Sequence, residues 1–205
     1  MLHPQENAEK YMQVVSDEFF DCISSESNVL EIGPFGGWFS DVILSKNPKN
    51  LFLVEPSLDA TNQLLKKFQG QNNIQIINKD IFDCIEFFVD KQIDVVVIFG
   101  VLYHLASPFD VLEKIANYIK PNFICLDNCS GNSQDILIND KQVNQPGNRQ
   151  SKLRTVGLSL TIPDKVLKVA LKNLGYNTIH HRYMKEFDVQ TKQATHIVKF
   201  QHDLQ

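Results

Sequence analysis

The stretch Val29-Leu30-Glu31-Ile32-Gly33-Pro34-Phe35-Gly36-Gly37-Trp38-Phe39-Ser40 constrains this chain more than any other. An apolar, strand-like run enters a glycine-rich turn, and the turn enters sequence that suits a helix. A second apolar run, Leu51-Phe52-Leu53-Val54, follows and is closed by Glu55. Strand, tight turn, helix and strand make the repeating unit of open α/β sheets. Such a unit places the turn and the second strand's terminal residue at one edge of the sheet.

The rest of the chain continues that rhythm. Residues 6–24 read as an amphipathic helix, with Tyr11, Val14, Val15, Phe19 and Ile23 near a 3.6-residue period. Strands are predicted at 28–33, 50–55, 73–78, 93–99 and 122–127. Helices are predicted at about 37–46, 58–69, 82–91, 108–119 and 163–174. Ser57 or Asp59 can cap the second of these and Gly70 can close it. Pro108 suits a first helical turn. The run Ile93-Asp94-Val95-Val96-Val97-Ile98-Phe99 is nearly all apolar, as expected of a central parallel strand covered on both faces. Residues 128–162 break the pattern with Asn, Gln, Ser and Gly and a Pro146-Gly147 turn signal. A connection of that length is functional or mobile as a rule, and a substrate-side insertion or lid is expected there. Two β-like runs, 176–185 and 194–201, close the chain as an antiparallel hairpin. The expected architecture is α/β: a doubly wound, mostly parallel seven-stranded sheet with helices on both faces. Residues 1–205 are expected to form one domain, opened by an N-terminal helix within 1–27.

Composition removes several function classes. No run of 18 apolar residues exists, so no membrane-spanning helix is expected. The N-terminal residues lack a basic-then-apolar signal pattern, and a cytoplasmic location is expected. A net charge of −4 argues against broad, non-specific nucleic-acid binding. The four cysteines, Cys22, Cys84, Cys125 and Cys129, form no Cys-x-x-Cys pair and no zinc spacing. They read as reduced thiols, and no metal site is expected. His180 and His181 are adjacent, and a strand sends such neighbours to opposite faces.

Three readings compete for the glycine turn. A phosphate-cradling loop needs Gly-x-x-x-x-Gly-Lys-Ser/Thr, and five positions after Gly33 stands Trp38. A dinucleotide fingerprint needs Gly-x-Gly-x-x-Gly, which would put its later glycines at Phe35 and Trp38. A bulky Phe35 would crowd a pyrophosphate. The third reading is the S-adenosylmethionine (SAM) pocket of the class I, Rossmann-like methyltransferases, and here the chain resembles that family. Glu31-Ile32-Gly33-Pro34-Phe35-Gly36-Gly37 is similar to the family's E/D-x-G-x-G-x-G motif, with Phe35 in place of the middle glycine. Glu55 lies 22 residues after Gly33, where the family places its ribose-binding carboxylate. Asn78-Lys79-Asp80-Ile81-Phe82 resembles the adenine-binding segment after the third strand. Phe99-Gly100-Val101-Leu102-Tyr103-His104-Leu105 resembles the segment that lines the methyl-transfer site.

The resemblance implies a SAM-dependent methyltransferase that yields S-adenosyl-L-homocysteine (SAH). It implies cofactor contacts from Glu31, Gly33, Phe35, Gly37, Glu55, Pro56, Asp80, Ile81 and Gly100. Trp38 and Phe39 read instead as helix-packing residues. Tyr103 is either a pocket wall facing the methyl or a packed ring. His104 is either a general base, since histidine titrates near neutral pH, or a residue that orders its loop. Tyr103, His104, Asn128, Arg149 and Arg154 are candidates for the acceptor side, with Lys152 and Asn132 beside them. The basic residues could bind a carboxylate or phosphate or be solvated charges. The expected reaction is in-line methyl transfer to an oxygen or nitrogen of a small molecule. Two alternatives stand. One is an RNA-modifying methyl- or carboxymethyltransferase, since Gly100–His104 followed by Ser107-Pro108 resembles the tRNA wobble-uridine carboxymethyltransferases. The other is a non-catalytic SAM-binding protein.

Overall fold

The computed structural model describes residues 4–105, 107–130, 137–139, 159–184 and 194–203. Its strands, in chain order, are β1 (Asn28–Ile32), β2 (Asn50–Val54), β3 (Ile74–Ile77), β4 (Val95–Ile98), β5 (Phe123–Ser130), β6 (Leu137–Asn139), β7 (Ser159–Thr161), β8 (Tyr176–Tyr183) and β9 (Ala194–His202). The helices are α1 (Pro4–Val14), α2 (Trp38–Leu44), α3 (Leu58–Lys67), α4 (Pro108–Lys114) and α5 (Asp164–Asn173). Seven strands form one sheet in the order β3-β2-β1-β4-β5-β9-β8. The first five are parallel, and β9 pairs antiparallel with both β5 and β8. The expected seven-stranded sheet with its closing hairpin is therefore present.

The central strands are apolar at both parities because each parity faces a different layer. Leu30, Ile32, Val96, Ile98, Ile124 and Leu126 face the layer of α4 and α5. Val29, Leu51, Leu53, Val95, Val97 and Cys125 face the N-terminal segment, α2 and α3. Asp94 pins the strand starts: its carboxylate accepts from the Asn28 N–H at 2.8 Å and from Asn122 Nδ2 at 3.2 Å, while its carbonyl accepts from the Phe123 N–H. One side chain thus ties β1, β4 and β5 at the end opposite the glycine turn.

Several elements differ from expectation. The helix predicted over 6–24 is α1 followed by a wider π-helical turn, Val15–Phe19, in which the Phe20 N–H donates to the Val15 carbonyl. That turn is gripped from the sheet. Glu18 meets His180 at 3.0 Å and Arg182, and the buried Lys199 ammonium donates to the Glu18 carbonyl at 3.0 Å and to Asp21. His181 turns the other way, to Asp164 at 2.8 Å, so the two histidines do take opposite faces. The helix predicted over 82–91 is two short 3₁₀ pieces, Ile81–Asp83 and Ile85–Phe88. Asp80 caps the first by accepting from the Phe82 N–H, and Ile81, Ile85 and Phe88 all turn inward. The inward spacing of four and then three residues is that of an α-helix face, so the break into two 3₁₀ turns is not set by this hydrophobic period. The strand predicted to end at 127 runs on to Ser130, because β9 pairs with it as far as Ala194. Within 128–162, β6 and β7 pair antiparallel as a separate small sheet.

Asp94→Ala removes two acceptors that align three strands. It should lower unfolding free energy by about 1–2 kcal/mol, read as a lower urea midpoint with unchanged denaturant slope.

Candidate cofactor site at the switch point of the sheet

β1 lies between β2 and β4, so chain direction across the sheet reverses there. Ligands of open α/β sheets bind at the carboxyl ends of the strands at such a point. The loops after β1 and β4 meet over it. Gly33 has φ of +70°, and a Cβ built on it would lie 2.4 Å from Val101 Cγ2. This glycine therefore admits the neighbouring loop, a role beyond permitting backbone to approach a ligand. Its N–H donates to the Val54 carbonyl at 2.8 Å, which carries the β1–β2 ladder into the turn. Gly37 has φ of +73°, and a Cβ there would lie 2.9 Å from Leu64 and 3.1 Å from Phe68 of the α3 region. Both glycines sit in left-handed backbone that L side chains rarely adopt.

Glu55, at the end of β2, is 5% exposed. Its Oε2 accepts from the Phe35 N–H at 3.1 Å and its Oε1 from the Ser57 N–H at 2.8 Å. The carboxylate thus shapes the glycine turn as well as bordering the crevice. Asn78 Nδ2 donates to the Glu55 carbonyl and to Thr61 Oγ1, both at 2.9 Å, fixing where β2 ends. Phe35 holds φ of +48° and projects outward with its side chain 62% exposed. Pro56 follows Glu55, half-buried, and ends the strand. Lys67, in the last turn of α3, donates to the Gly36 carbonyl at 3.1 Å, the Gly37 carbonyl at 2.7 Å and Asp41 at 2.6 Å. It clamps the turn from behind.

Two further acids stand buried beside these turns. Glu31 is buried and accepts from Ser40 Oγ at 2.5 Å. Burial pushes its carboxyl up to about 7, against the opposing effects of that hydrogen bond and the Lys67 charge. Asp127, near the end of β5, accepts from the Gly100 N–H at 2.6 Å. Burial pushes it up to about 7 as well, against the same hydrogen bond. Asp127 thereby holds the loop after β4. In that loop Leu102–His104 form a 3₁₀ turn, and the His104 N–H donates to the Val101 carbonyl at 2.8 Å. Tyr103 and His104 are half-buried, with ring centroids 4.3 Å apart, and the Tyr103 hydroxyl reaches 3.6 Å from a Cβ built on Gly100.

Glu31, Gly33, Glu55, Gly100, Tyr103 and His104 thus belong to the turns and strand ends at one edge. Asp80 and Ile81 follow β3 at the same edge, Asp80 half-buried and Ile81 in the core. Asn128 is different: it is fully buried, faces the α5 layer, and its Nδ2 donates to the Ile162 carbonyl at 2.7 Å. Its Oδ1 has no hydrogen-bond partner among the described residues. Arg149, Arg154, Lys152 and Asn132 lie outside the described residues. Trp38, expected as a packing residue, is 70% exposed, whereas Phe39 packs edge-on against Phe99 with centroids 4.7 Å apart. α2 begins at Trp38, so its first side chain projects past the layer that Phe39 enters. Sequence reasoning missed Ser40, Asp127, Thr61 and Lys67. Asp127 carried a readable signal, since it closes an apolar run as Glu55 does. The other three depend on contacts between elements. Among the described residues no cluster of His, Cys, Asp or Glu could hold a metal ion. No described helix is long and apolar enough to cross a membrane.

A family model described as a methyltransferase domain matches residues 5–181, and the chain belongs to that family. A stretch of 100 residues, 48% of the chain, is 36% identical to the ribosomal RNA small subunit methyltransferase A of Pelagibacter ubique. The chain spans only about a third, 36%, of that curated relative's length. Among solved structures, the N-terminal domain of EvdMO1 with SAH bound superposes with a TM-score of 0.67 at 16% identity. The match covers 100% of this chain and 82% of that one. The N-methyltransferase NodS of Bradyrhizobium japonicum WM9, in complex with SAH, gives 0.66 at 14% identity, covering 98% and 87%. The fold is thus the class I methyltransferase fold that the sequence resemblance implies.

Two outcomes test this geometry. Lys67→Met should release the turn, raising amide exchange at Gly36 and Gly37 by roughly fivefold, the equivalent of about 1 kcal/mol for a half-exposed clamp. The second concerns pH. The carboxyls of Glu31 and Asp127 ordinarily titrate near 4.5 and 3.8 and are raised to about 7 when folded. Between those limits the native state holds more protons than the unfolded one, so stability falls as pH rises toward 7. The protein without ligands should melt higher at pH 5 than at pH 8. Glu31→Gln combined with Asp127→Asn should flatten that slope in a calorimetric series.

Proposed function

We propose that residues 1–205 form one cytoplasmic domain that moves a methyl group from SAM to an oxygen or nitrogen of a small molecule. The observation that carries this reading is the gathering of Glu31, Glu55, Asp80 and Asp127 at one edge of the sheet, near the ends of β1, β2 and β3 and just past the parallel-paired part of β5. The adenosyl-sulfonium cofactor carries cationic groups on its methionine end, which such a crevice favours. A dinucleotide's pyrophosphate would be repelled by it. The thiols of Cys22, Cys84 and Cys125 are free, which suits a reducing compartment.

When bound, SAM supplies an electrophilic methyl on sulfur. Glu55 receives the ribose hydroxyls, since each carboxylate oxygen has lone pairs for more than one donor. Asp80 takes the adenine amino group and Ile81 packs on the ring. Backbone at Gly33 and Gly100 holds the methionine end, supported by Glu31. Phe35, Gly37 and Pro56 shape the wall around the ribose. Tyr103 borders the methyl and excludes water, so that positioning supplies most of the rate. His104 takes the proton from the acceptor oxygen or nitrogen. Arg149 and Arg154 of the insertion are the candidates for the acceptor side, whereas Asn128 is turned inward to the Ile162 carbonyl.

A second reading, an RNA-modifying enzyme, is favoured by the identity shared with the ribosomal RNA methyltransferase. Salt-dependent binding of ribosomal or transfer RNA would support it; no RNA binding at low salt would remove it.

Calorimetric titration with SAM, SAH and NAD should show binding of the first two alone. Binding of NAD alone would overturn the cofactor. Glu55→Ala should weaken SAM at least tenfold, the loss of charge-assisted hydrogen bonds of about 1.5–3 kcal/mol. His104→Ala should leave SAM affinity within about twofold and reduce turnover by roughly a hundredfold or more, the usual scale of general-base catalysis. Wild-type turnover in that variant would remove His104 as the base.

A further inference from the structure

Two thiols that take no part in the proposed methyl transfer meet on the sheet face covered by the N-terminal segment. Cys22 leaves the π-helical turn and is half-buried; Cys125 stands mid-strand in β5, fully buried. Their sulfurs converge on one oxygen. The Phe19 carbonyl lies 3.5 Å from Cys22 Sγ and 3.2 Å from Cys125 Sγ. The segment around Cys22 is fixed to the sheet by Lys199, bonded to the Glu18 carbonyl and Asp21, and by the Phe19 ring packed on His180 with centroids 4.8 Å apart.

The surroundings differentiate the two sulfurs. The neighbouring Cys125 thiol and the Lys199 charge lower Cys22 against the effect of burial. Cys125 is raised, by the neighbouring Cys22 thiol and by burial. The partly exposed Cys22 therefore sits beside the fully buried Cys125, an arrangement in which peroxide reaches one sulfur and the other can resolve it. Cys84 offers an internal contrast: it is buried apart from that pair and pushed up to about 11 by burial.

We infer that Cys22 and Cys125 form a peroxide-oxidisable thiol pair, with Cys22 the attacking sulfur and Cys125 the resolving one. The Cys22 thiolate attacks one oxygen of hydrogen peroxide, the O–O bond breaks, and hydroxide leaves and takes a proton to become water. Cys22 is then a sulfenic acid. The Cys125 sulfur attacks it, the S–O bond breaks, and a second water leaves with the thiol proton. Two thiols lose two electrons and one peroxide gains them. The disulfide closes a long loop and ties the segment after α1 to the middle of the sheet. It lies two residues before Asp127, which holds the Gly100 loop.

The test uses the full chain with Cys129→Ser, so that the peptide carrying Cys125 has a single thiol. After hydrogen peroxide treatment, peptide mass spectrometry should find Cys22 linked to Cys125, and dithiothreitol should reverse the link. The melting temperature should rise by roughly 10 °C, as expected for a bridge closing a loop of about 100 residues. Iodoacetamide should alkylate Cys22 at least tenfold faster than Cys84 in the wild-type chain. In Cys125→Ser, dimedone should trap the Cys22 sulfenic acid. If peroxide leaves the pair unlinked in folded protein, or if Cys22 is alkylated no faster than Cys84, the inference is wrong. The alkylation comparison needs no variant and so decides the matter even if Cys125→Ser does not fold.

Discussion

The contact between the loops after β1 and β4 governs the rest of this structure. Val101 occupies the space where a side chain on residue 33 would stand. The two loops can close over the reversal in strand order only because that side chain is missing. β1 and β4 are themselves held by burial on both faces, with Val29, Leu30, Val95, Val96, Val97 and Ile98 fully removed from water. Burial of this kind contributes on the order of 1.5–3 kcal/mol per large side chain. It leaves the strand ends as the part of the sheet where polar groups gather, buried and at a desolvation cost that their hydrogen bonds only partly offset.

What gathers there is mostly carboxylate. Glu55 is satisfied by two backbone N–H donors, Asp127 by one and Glu31 by a serine hydroxyl. Each bond does two things at once. It keeps a buried acid from being stranded, and it sets the shape of a loop. Glu55 shapes the glycine turn and Asp127 the loop after β4. The acids of the crevice are therefore also its scaffold, and changing one alters both field and geometry. Lys67 answers from behind the turn, where its charge offsets theirs without entering the crevice.

Much of this was legible along the chain. The run 93–99 is apolar at every parity but Asp94, which is why it reads as a central strand. Glu55 closes an apolar run after the glycine turn, which is why it reads as a site carboxylate. The boundaries were less legible. The segment 82–91 carries an apolar spacing that suits a helix, with Ile81, Ile85 and Phe88 inward, and the chain there still takes two short 3₁₀ turns that the hydrophobic period does not announce. Trp38 looks like a packing residue by composition and is exposed, because the helix begins at that residue. Neither outcome is a local property.

By itself the sequence determined the alternation of strands and helices, the glycine turn after β1 and the acids at the strand ends. These follow from hydrophobic period, turn chemistry and position, all of which act over short distances along the chain. Tertiary structure alone decided that Gly33 makes room for Val101, that Lys67 reaches across 30 residues to the Gly37 carbonyl, and that Asp127 holds Gly100. It also decided that Cys22 and Cys125 share one carbonyl. Each of these is a contact between distant segments. Its energy exists only once the sheet order has brought those segments together, so no local pattern could announce it.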